Sequence, residues 1–312
     1  MGGMDLDLGQ VRAFVAVADH LHFGRAAEEL AISQQAVSKR LARLEAALGV
    51  PLLTRGNVEP TGAGRRFLEP ARELLRAADA AAGAVHAVGR PLRIDLWGHL
   101  YGPARTVAPV IGARPELDVE LGMSRDLPAA AAALLRGDID AAFGRVHPPL
   151  PDGVAHRLVR LEPVDVLVAA GHPLAAASSV RPSDLAGRDL WFPAAVDRLD
   201  FISRFCDEFG ARAVSGGANL GVEHLPAGLL AEPGRITLFP ADARLPGTPE
   251  VRAIPLVDPV PLYAWSLMWP RQSPHPMIPA LVKRFAEHGR RHRWLEYDPA
   301  RDWLPGEQAP AD

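Results

Sequence analysis

The chain has 312 residues, 48% hydrophobic and 23% charged, with 34 Lys and Arg against 37 Asp and Glu and a net charge of −3. That balance excludes a disordered chain, and the length suits two or three units that each bury a core. The longest apolar runs, such as residues 129–135, fall well short of the roughly 20 residues of a membrane span. One cysteine, Cys206, excludes an internal disulfide and fits a reducing cytoplasm, where it reads as a small packing residue. The N-terminus lacks a basic segment followed by an apolar core, and Leu6 stands where a myristoylation site needs Ser or Thr. Neither a secretory signal nor a lipid anchor is therefore expected. The near-neutral total hides an asymmetry, because residues 33–66 carry a local +4 and residues 91–312 carry −4. A concentrated cationic face governs phosphate contact more than the total does.

The first predicted helix, about residues 8–19, buries Leu8, Val11, Phe14, Val15 and Ala18 at helical spacing. His20 and His22 fall in the turn that follows. Phe23 staples the entry to a short Ala-rich helix ending at Leu30. After a break at Ala31-Ile32, Ser33 caps a third helix with a buried stripe at Val37, Leu41, Leu44 and Leu48. At about 100° per residue, Gln35, Lys39, Ala42 and Ala46 lie opposite that stripe, flanked by Ser38 and Arg43. Such a face of amides, a hydroxyl, cations and small residues suits a DNA major groove; taken alone, it also suits an ordinary solvated helix face. Gly49 and Pro51 stop the helix, and residues 51–60 form a small wing carrying Arg55. Thr61 caps the next helix, whose free N–H groups offer a phosphate site.

That helix is predicted to run to about residue 88. Phe67, Ala71, Leu74, Ala78, Ala81, Val85 and Val88 alternate spacings of 4 and 3, the mark of a coiled-coil seam and a dimer interface, with Pro70 a possible kink. Gly89-Arg90-Pro91 reads as a hinge. Strand and helix patterns then alternate, in LRIDLWG, residues 102–113, LDVELGM, LPAAAAALLRG and IDAAFG, which implies a parallel α/β sheet. VDVLVAAGHPLA opens a second unit, with DLWFP and RITLFP as strands and residues 201–210 as a helix. PLYAWSLMWP returns to the first unit and residues 279–290 close it. Ligands of open α/β sheets sit beyond strand ends, so His99, Leu100, Tyr101, Met123, Ser124, Arg145 and Pro193 are the candidate ligand-binding residues. Arg145 reads as a clamp for an anionic ligand or as an exposed cation paired with a nearby acid. No hydrolase, phosphate-loop, zinc or dinucleotide motif is present. His288 and His292 share a helical spacing among repelling arginines, so no catalytic residue, metal site or cofactor is expected.

Residues 6–62, through LDLGQVRAFVAVADHLHFGRAAEEL, SQQAVSKRLARLEAALGVPLLTR and Thr61-Gly62, resemble the winged helix–turn–helix of the LysR-type transcriptional regulators. ARPELDVEL, LLRGDIDAAFG, GHPLA and VRPSDLAGRDLW resemble that family's two-lobed effector domain, which is similar to periplasmic solute-binding proteins. The resemblance implies an α/β protein overall. Its parts would be an all-α winged head over 6–61, a dimerising linker helix over 62–90, an effector domain over 91–290 and a tail over 291–312. Lobe I would comprise about 91–160 and 262–290, and lobe II about 161–261. The resemblance further implies that Ser33, Gln34, Gln35, Ser38 and Lys39 face the groove, with Arg43, Arg55 and Thr61 on phosphates or the minor groove. Partners would be double-stranded DNA bearing an interrupted inverted repeat, a small-molecule effector, further copies of the chain in a homodimer or tetramer, and RNA polymerase. The wing is shorter than the family's, and GVEHLPAGLLAEPGRITLFP departs from its Gly-rich phrase. The competing readings are an enzyme or solute-binding protein with an N-terminal assembly segment, and a constitutive DNA-binding protein without effector response.

Overall fold

A computed structural model describes residues 6–54, 58–86, 90–112, 118–243, 249–272 and 274–306. The chain divides into a unit spanning Met1–His86 and a unit spanning Ala87–Asp312. Arg55 and Val88 lie outside the described residues, as do the side chains of Val85 and His99.

In the first unit α1 (Leu8–His20) is capped by Asp7, whose carboxylate accepts from Gln10 N at 2.9 Å. Its buried face is Val11, Phe14 and Val17 with three alanines, whereas Leu8, expected inside, is 38% exposed because the first turn projects past the core. Val15 is only half-buried. α2 (Phe23–Glu29) is capped by His22, whose Nδ1 accepts from Gly24 N at 3.0 Å, so this turn histidine has a structural task. α3 (Gln34–Leu48) begins at Ser33, whose Oγ accepts from Ala36 N at 3.2 Å, and ends at Gly49 with φ 71°. α4 (Gly62–His86) runs through Pro70 as one helix. Between α3 and α4 the chain makes the expected small hairpin, with Leu53 bridging Pro60 and Thr54 N donating to Glu59 O at 2.9 Å. Gly64 is required there, since a Cβ would stand 2.1 Å from the Leu52 carbonyl oxygen.

The seam predicted along α4 divides in two. Ala71 is fully buried and Phe67 packs on Phe14 at 5.6 Å, so both belong to the core of their own unit, together with Leu75. Leu74 and Ala81 are exposed and Ala78 is half-exposed. Heptad spacing identifies one face of the helix, but the first three turns of that face are already covered by α1.

The second unit contains β1 (Leu92–Leu96), α5 (Ala104–Ile111), β2 (Val119–Met123), α6 (Leu127–Arg136), β3 (Ala141–Gly144) and β4 (Val154–Ala169). β5 (Asp189–Phe192), α7 (Asp200–Phe209), β6 (Arg212–Ser215), α8 (Leu225–Ala231), β7 (Ile236–Pro240) and β8 (Val251–Pro255) follow. β9 (Val260–Pro270), α9 (Ile278–His292) and β10 (Asp302–Trp303) complete it. The strand order is β2-β1-β3-β9-β4-β7-β5-β6, with β8 beside β4 and β10 beside β9. The sheet is mixed rather than parallel. β1 is parallel to β2 and β3, and β5 to β6 and β7, but β9 is antiparallel to β3 and β4, and β4 to β7. β4 is one 16-residue strand that pairs with β9 as far as Pro163 and with β7 from Val164 onward. β4 and β9 are thus the two strands that join two half-sheets. Phe143, Trp265 and Phe285 stack at 5.2 and 5.7 Å beneath the first half-sheet. Cys206 is half-buried at the core's edge, and burial pushes its thiol up to about 11, which suits packing rather than reactivity.

Candidate functional sites

α3 presents two chemically distinct faces. Val37, Leu41 and Leu44 are buried, while Ser33, Gln34, Gln35, Ser38, Lys39, Ala42 and Arg43 are exposed. Among the described residues, the side chains of Gln34, Gln35, Ser38, Lys39 and Arg43 have no hydrogen-bond or ion-pair partner, so their donors and acceptors point to solvent unspent. Two residues fix what surrounds them. Glu45, read from the sequence only as a charge, accepts from Leu52 N at 2.7 Å and Leu53 N at 3.1 Å and ties the wing to α3. Thr61 Oγ1 accepts from Gly64 N at 3.0 Å and donates to Pro51 O at 2.8 Å. Its hydroxyl is therefore spent on capping α4 and holding the wing. Glu45 was legible only in hindsight, as an acid one turn before a glycine stop whose following amides need acceptors.

In the second unit the strand-end residues do not form one group. Tyr101 and Arg145 come together, joined by Asp200, Phe201 and Tyr263, which sequence reasoning missed. Tyr101 packs on Tyr263 with tilted rings 4.6 Å apart and lies edge-on to Phe201 at 6.5 Å. The Arg145 guanidinium sits 5.6 Å from the Phe201 ring centre and 5.7 Å from that of Tyr263. Arg145 is 4% exposed, and its Nε and Nη2 donate to Asp200 at 3.0 and 2.7 Å. It is neither an exposed cation nor an unclaimed anion clamp, because the first turn of α7 delivers a carboxylate to it. Burial works against that carboxylate's charge, but hydrogen bonds from Arg204 and Arg145 hold Asp200 below the ordinary aspartate range. Burial pushes the Tyr101 phenol well up. Leu100 is buried in the main core. Ser124 is buried and donates to Asp95 Oδ2 at 2.6 Å; Pro193 is buried past the end of β5. Met123, by contrast, is 65% exposed on an edge strand and does not join this group.

A second polar group sits where β4 and β9 cross. Glu162 is fully buried, accepts from Arg105 Nη2 at 2.8 Å and Trp265 Nε1 at 2.7 Å, and forms an ion pair with Arg160 Nη2 at 3.1 Å. Asp242, just past β7, pairs with both arginines, and Arg160 also donates to Thr106 Oγ1 at 2.7 Å. Arg105, from α5 of the first half-sheet, thus meets Asp242 of the second. Burial and then the neighbouring Asp242 carboxylate push Glu162 up to about 7, against the pull of Arg160 and Arg105.

A capped helix that exposes unspent amides and cations, in a unit of its own, defines a DNA-binding head. A two-part sheet with a buried polar-aromatic cluster defines a ligand-sensing domain. The comparisons agree. Residues 8–65 match the family model described as a bacterial regulatory helix-turn-helix protein of the lysR family, and residues 104–292 match the LysR substrate binding domain. The chain is 31% identical to the HTH-type transcriptional regulator IlvR of Caulobacter vibrioides, over 91% of this chain and 99% of that one. It is 32% identical to a probable cat1 operon transcriptional activator of Acinetobacter lwoffii, over 77% of this chain and 82% of that one. The crystal structure of full-length BenM superposes with a TM-score of 0.52 at 27% identity, covering 94% of this chain and all of that one (100%). The chain belongs to the LysR family. It is a DNA-binding transcriptional regulator with that family's effector-binding domain. No described helix is long and apolar enough to cross a membrane.

Proposed function

We propose that α3 enters the major groove of an interrupted inverted repeat, with Gln34, Gln35, Ser38 and Lys39 at base edges and Arg43 on phosphate. The reading is carried by one observation, that these side chains are exposed and unpartnered on a helix whose other face is buried. Arg55 on the wing adds a further cation, and Ser33 and Thr61 shape the helix starts that approach the backbone. Functionally the head comprises 6–61 and α4 is the dimerising linker, used from Leu74 onward. The effector domain follows, with lobe I about 91–160 and 262–290, lobe II about 161–261, and the tail beyond. The chain works in the cytoplasm as a regulator and carries no catalytic task of its own.

Gln35→Ala is expected to lower affinity for the specific site by about 1–3 kcal/mol and to leave scrambled DNA unaffected. Arg43→Ala should weaken both alike and reduce the salt dependence by about one ion. Competition binding at two salt concentrations checks both; equal losses on specific and scrambled DNA for Gln35→Ala would remove it from base reading.

We further infer that the effector binds where Tyr101, Arg145, Phe201 and Tyr263 meet between the lobes. A ligand shifts the regulator only through its different affinity for the closed and open lobes. Since Arg145 is matched by Asp200, Arg145→Ala leaves a half-buried carboxylate with Arg204 alone and should cost about 1–3 kcal/mol. Adding Asp200→Asn should recover most of that loss. Urea unfolding of the singles and the double measures the coupling, and simple additivity would show that the pair is not the stabilising unit.

A further inference from the structure

The segment after α9 lies beyond the stretch that matches the family's substrate-binding domain, which ends at residue 292. Through Gly306 it follows a defined path across both half-sheets. Trp294 N donates to Gly289 O at 2.9 Å, and Leu161 N donates to Trp294 O at 2.7 Å, which fastens the segment to β4. The Arg160 guanidinium lies 4.9 Å above the Trp294 ring. Val260 N donates to Arg301 O at 2.8 Å, and Asp302 and Trp303 then pair in parallel with Val260 and Pro261 at the start of β9. Leu304 is buried with Leu161, Leu262 and Ala264, all on the two strands that cross between the half-sheets.

Trp303 carries the path onto α7. Its ring stands 5.8, 5.8 and 5.1 Å from those of Phe201, Phe205 and Phe209, one face of that helix. Phe201 is the same ring that meets Tyr101 and Tyr263 and lies under Arg145. The residue before it, Asp200, holds Arg145. Trp303 is therefore one ring removed from the cluster read above as the effector site.

We propose that this C-terminal segment is a strap that holds the two lobes closed, with Trp303 as the positioning residue that sets α7 against the effector cleft. Opening the lobes swings α7 away from Tyr101 and Arg145, and it must either drag the strap off β9 or strip Trp303 from the three phenylalanines. Both routes expose aromatic surface, so the strap weights the equilibrium toward closure and sets how much work an effector must do. The role of the cleft rests on the proposed function; the mechanical role of the strap does not.

The test uses the full chain with Cys206→Ser and spin labels on cysteines at Arg136 in α6 and Glu208 in α7, diluted with unlabelled protein to isolate distances within one chain. Trp303→Ala should lengthen and broaden the separation by several ångströms, and Trp303→Phe should restore it. Trp303→Leu, which keeps apolar volume but loses the ring edges, gives the same readout should the alanine variant fail to fold. A parental distance distribution in a folded Trp303→Ala or Trp303→Leu overturns the strap. Because no effector is present, that failure would leave the assignment of the cleft standing, and a cleft that binds nothing would leave the strap standing.

Discussion

Leu74→Glu together with Ala78→Glu is expected to convert the dimer into monomers and to abolish tight operator binding. The two positions are one turn apart on the part of α4 that its own unit leaves uncovered, with Leu74 37% exposed in the single chain. Across a twofold seam the substitutions bring four carboxylates together without a cationic partner. Burying unpaired charge costs several kcal/mol, and about 4 kcal/mol weakens association about 1,000-fold. Half-site recognition by two heads is lost with the dimer, so operator affinity falls in step. Sedimentation velocity should show the mass of one chain. A persisting dimer with normal operator affinity would place the interface elsewhere. The same substitutions at Phe67 and Ala71 would instead unfold the head, since those residues pack within it.

Glu162→Ala should be among the most destabilising single changes in the second unit. It leaves Arg105 and Arg160 sharing Asp242 alone and strips Trp265 Nε1 of its acceptor, a loss of about 3–5 kcal/mol for a broken buried pair. Glu162→Gln keeps the volume and the acceptor for Trp265 and is expected to cost much less. It also isolates the pH effect. A carboxyl held near 7 in the folded chain, against its usual 4.5, binds its proton more tightly when folded. Its contribution is therefore fully present below pH 4.5 and is lost as pH rises through about 7. His156, His172, His275 and His288, lowered chiefly by burial, act in the opposite sense as pH rises. The diagnostic is thus the stability of the parent minus that of Glu162→Gln, which should favour the parent most below pH 4.5 and shrink as pH rises through about 7. A pH-independent difference would mean that the buried carboxyl does not titrate in this window.

What could be read from the residues divides along physical lines. The head was legible because α3 carries its own caps, Ser33 and Gly49, and a complete apolar stripe, so local chemistry and tertiary packing agree there. Spacing alone could not say what covers a face. Phe67, Ala71 and Leu74 share one stripe of α4, yet α1 takes the first two and leaves the third. β4 was seen only from Val164 onward, because Arg157, Arg160 and Glu162 interrupt its apolar pattern. Arg160 and Glu162 are buried in an ion network whose other members, Arg105, Asp242 and Trp265, come from distant elements, while Arg157 stays exposed. Arg145 was placed correctly at a strand end, but its partner Asp200 arrives from 55 residues further along the chain. Trp303 follows the same rule, since nothing near it in sequence announces three phenylalanines on α7.

The central claim is that the full chain reads a specific DNA sequence through paired α3 helices. Selection of bound duplexes from a random pool by the full chain, at near-physiological salt, tests it most directly. The account predicts enrichment of an interrupted inverted repeat, binding that weakens steeply with added salt, and loss of the enriched half-site pattern in Gln35→Ala. A bound pool with no enriched sequence, or one enriched equally by Gln35→Ala, would contradict it.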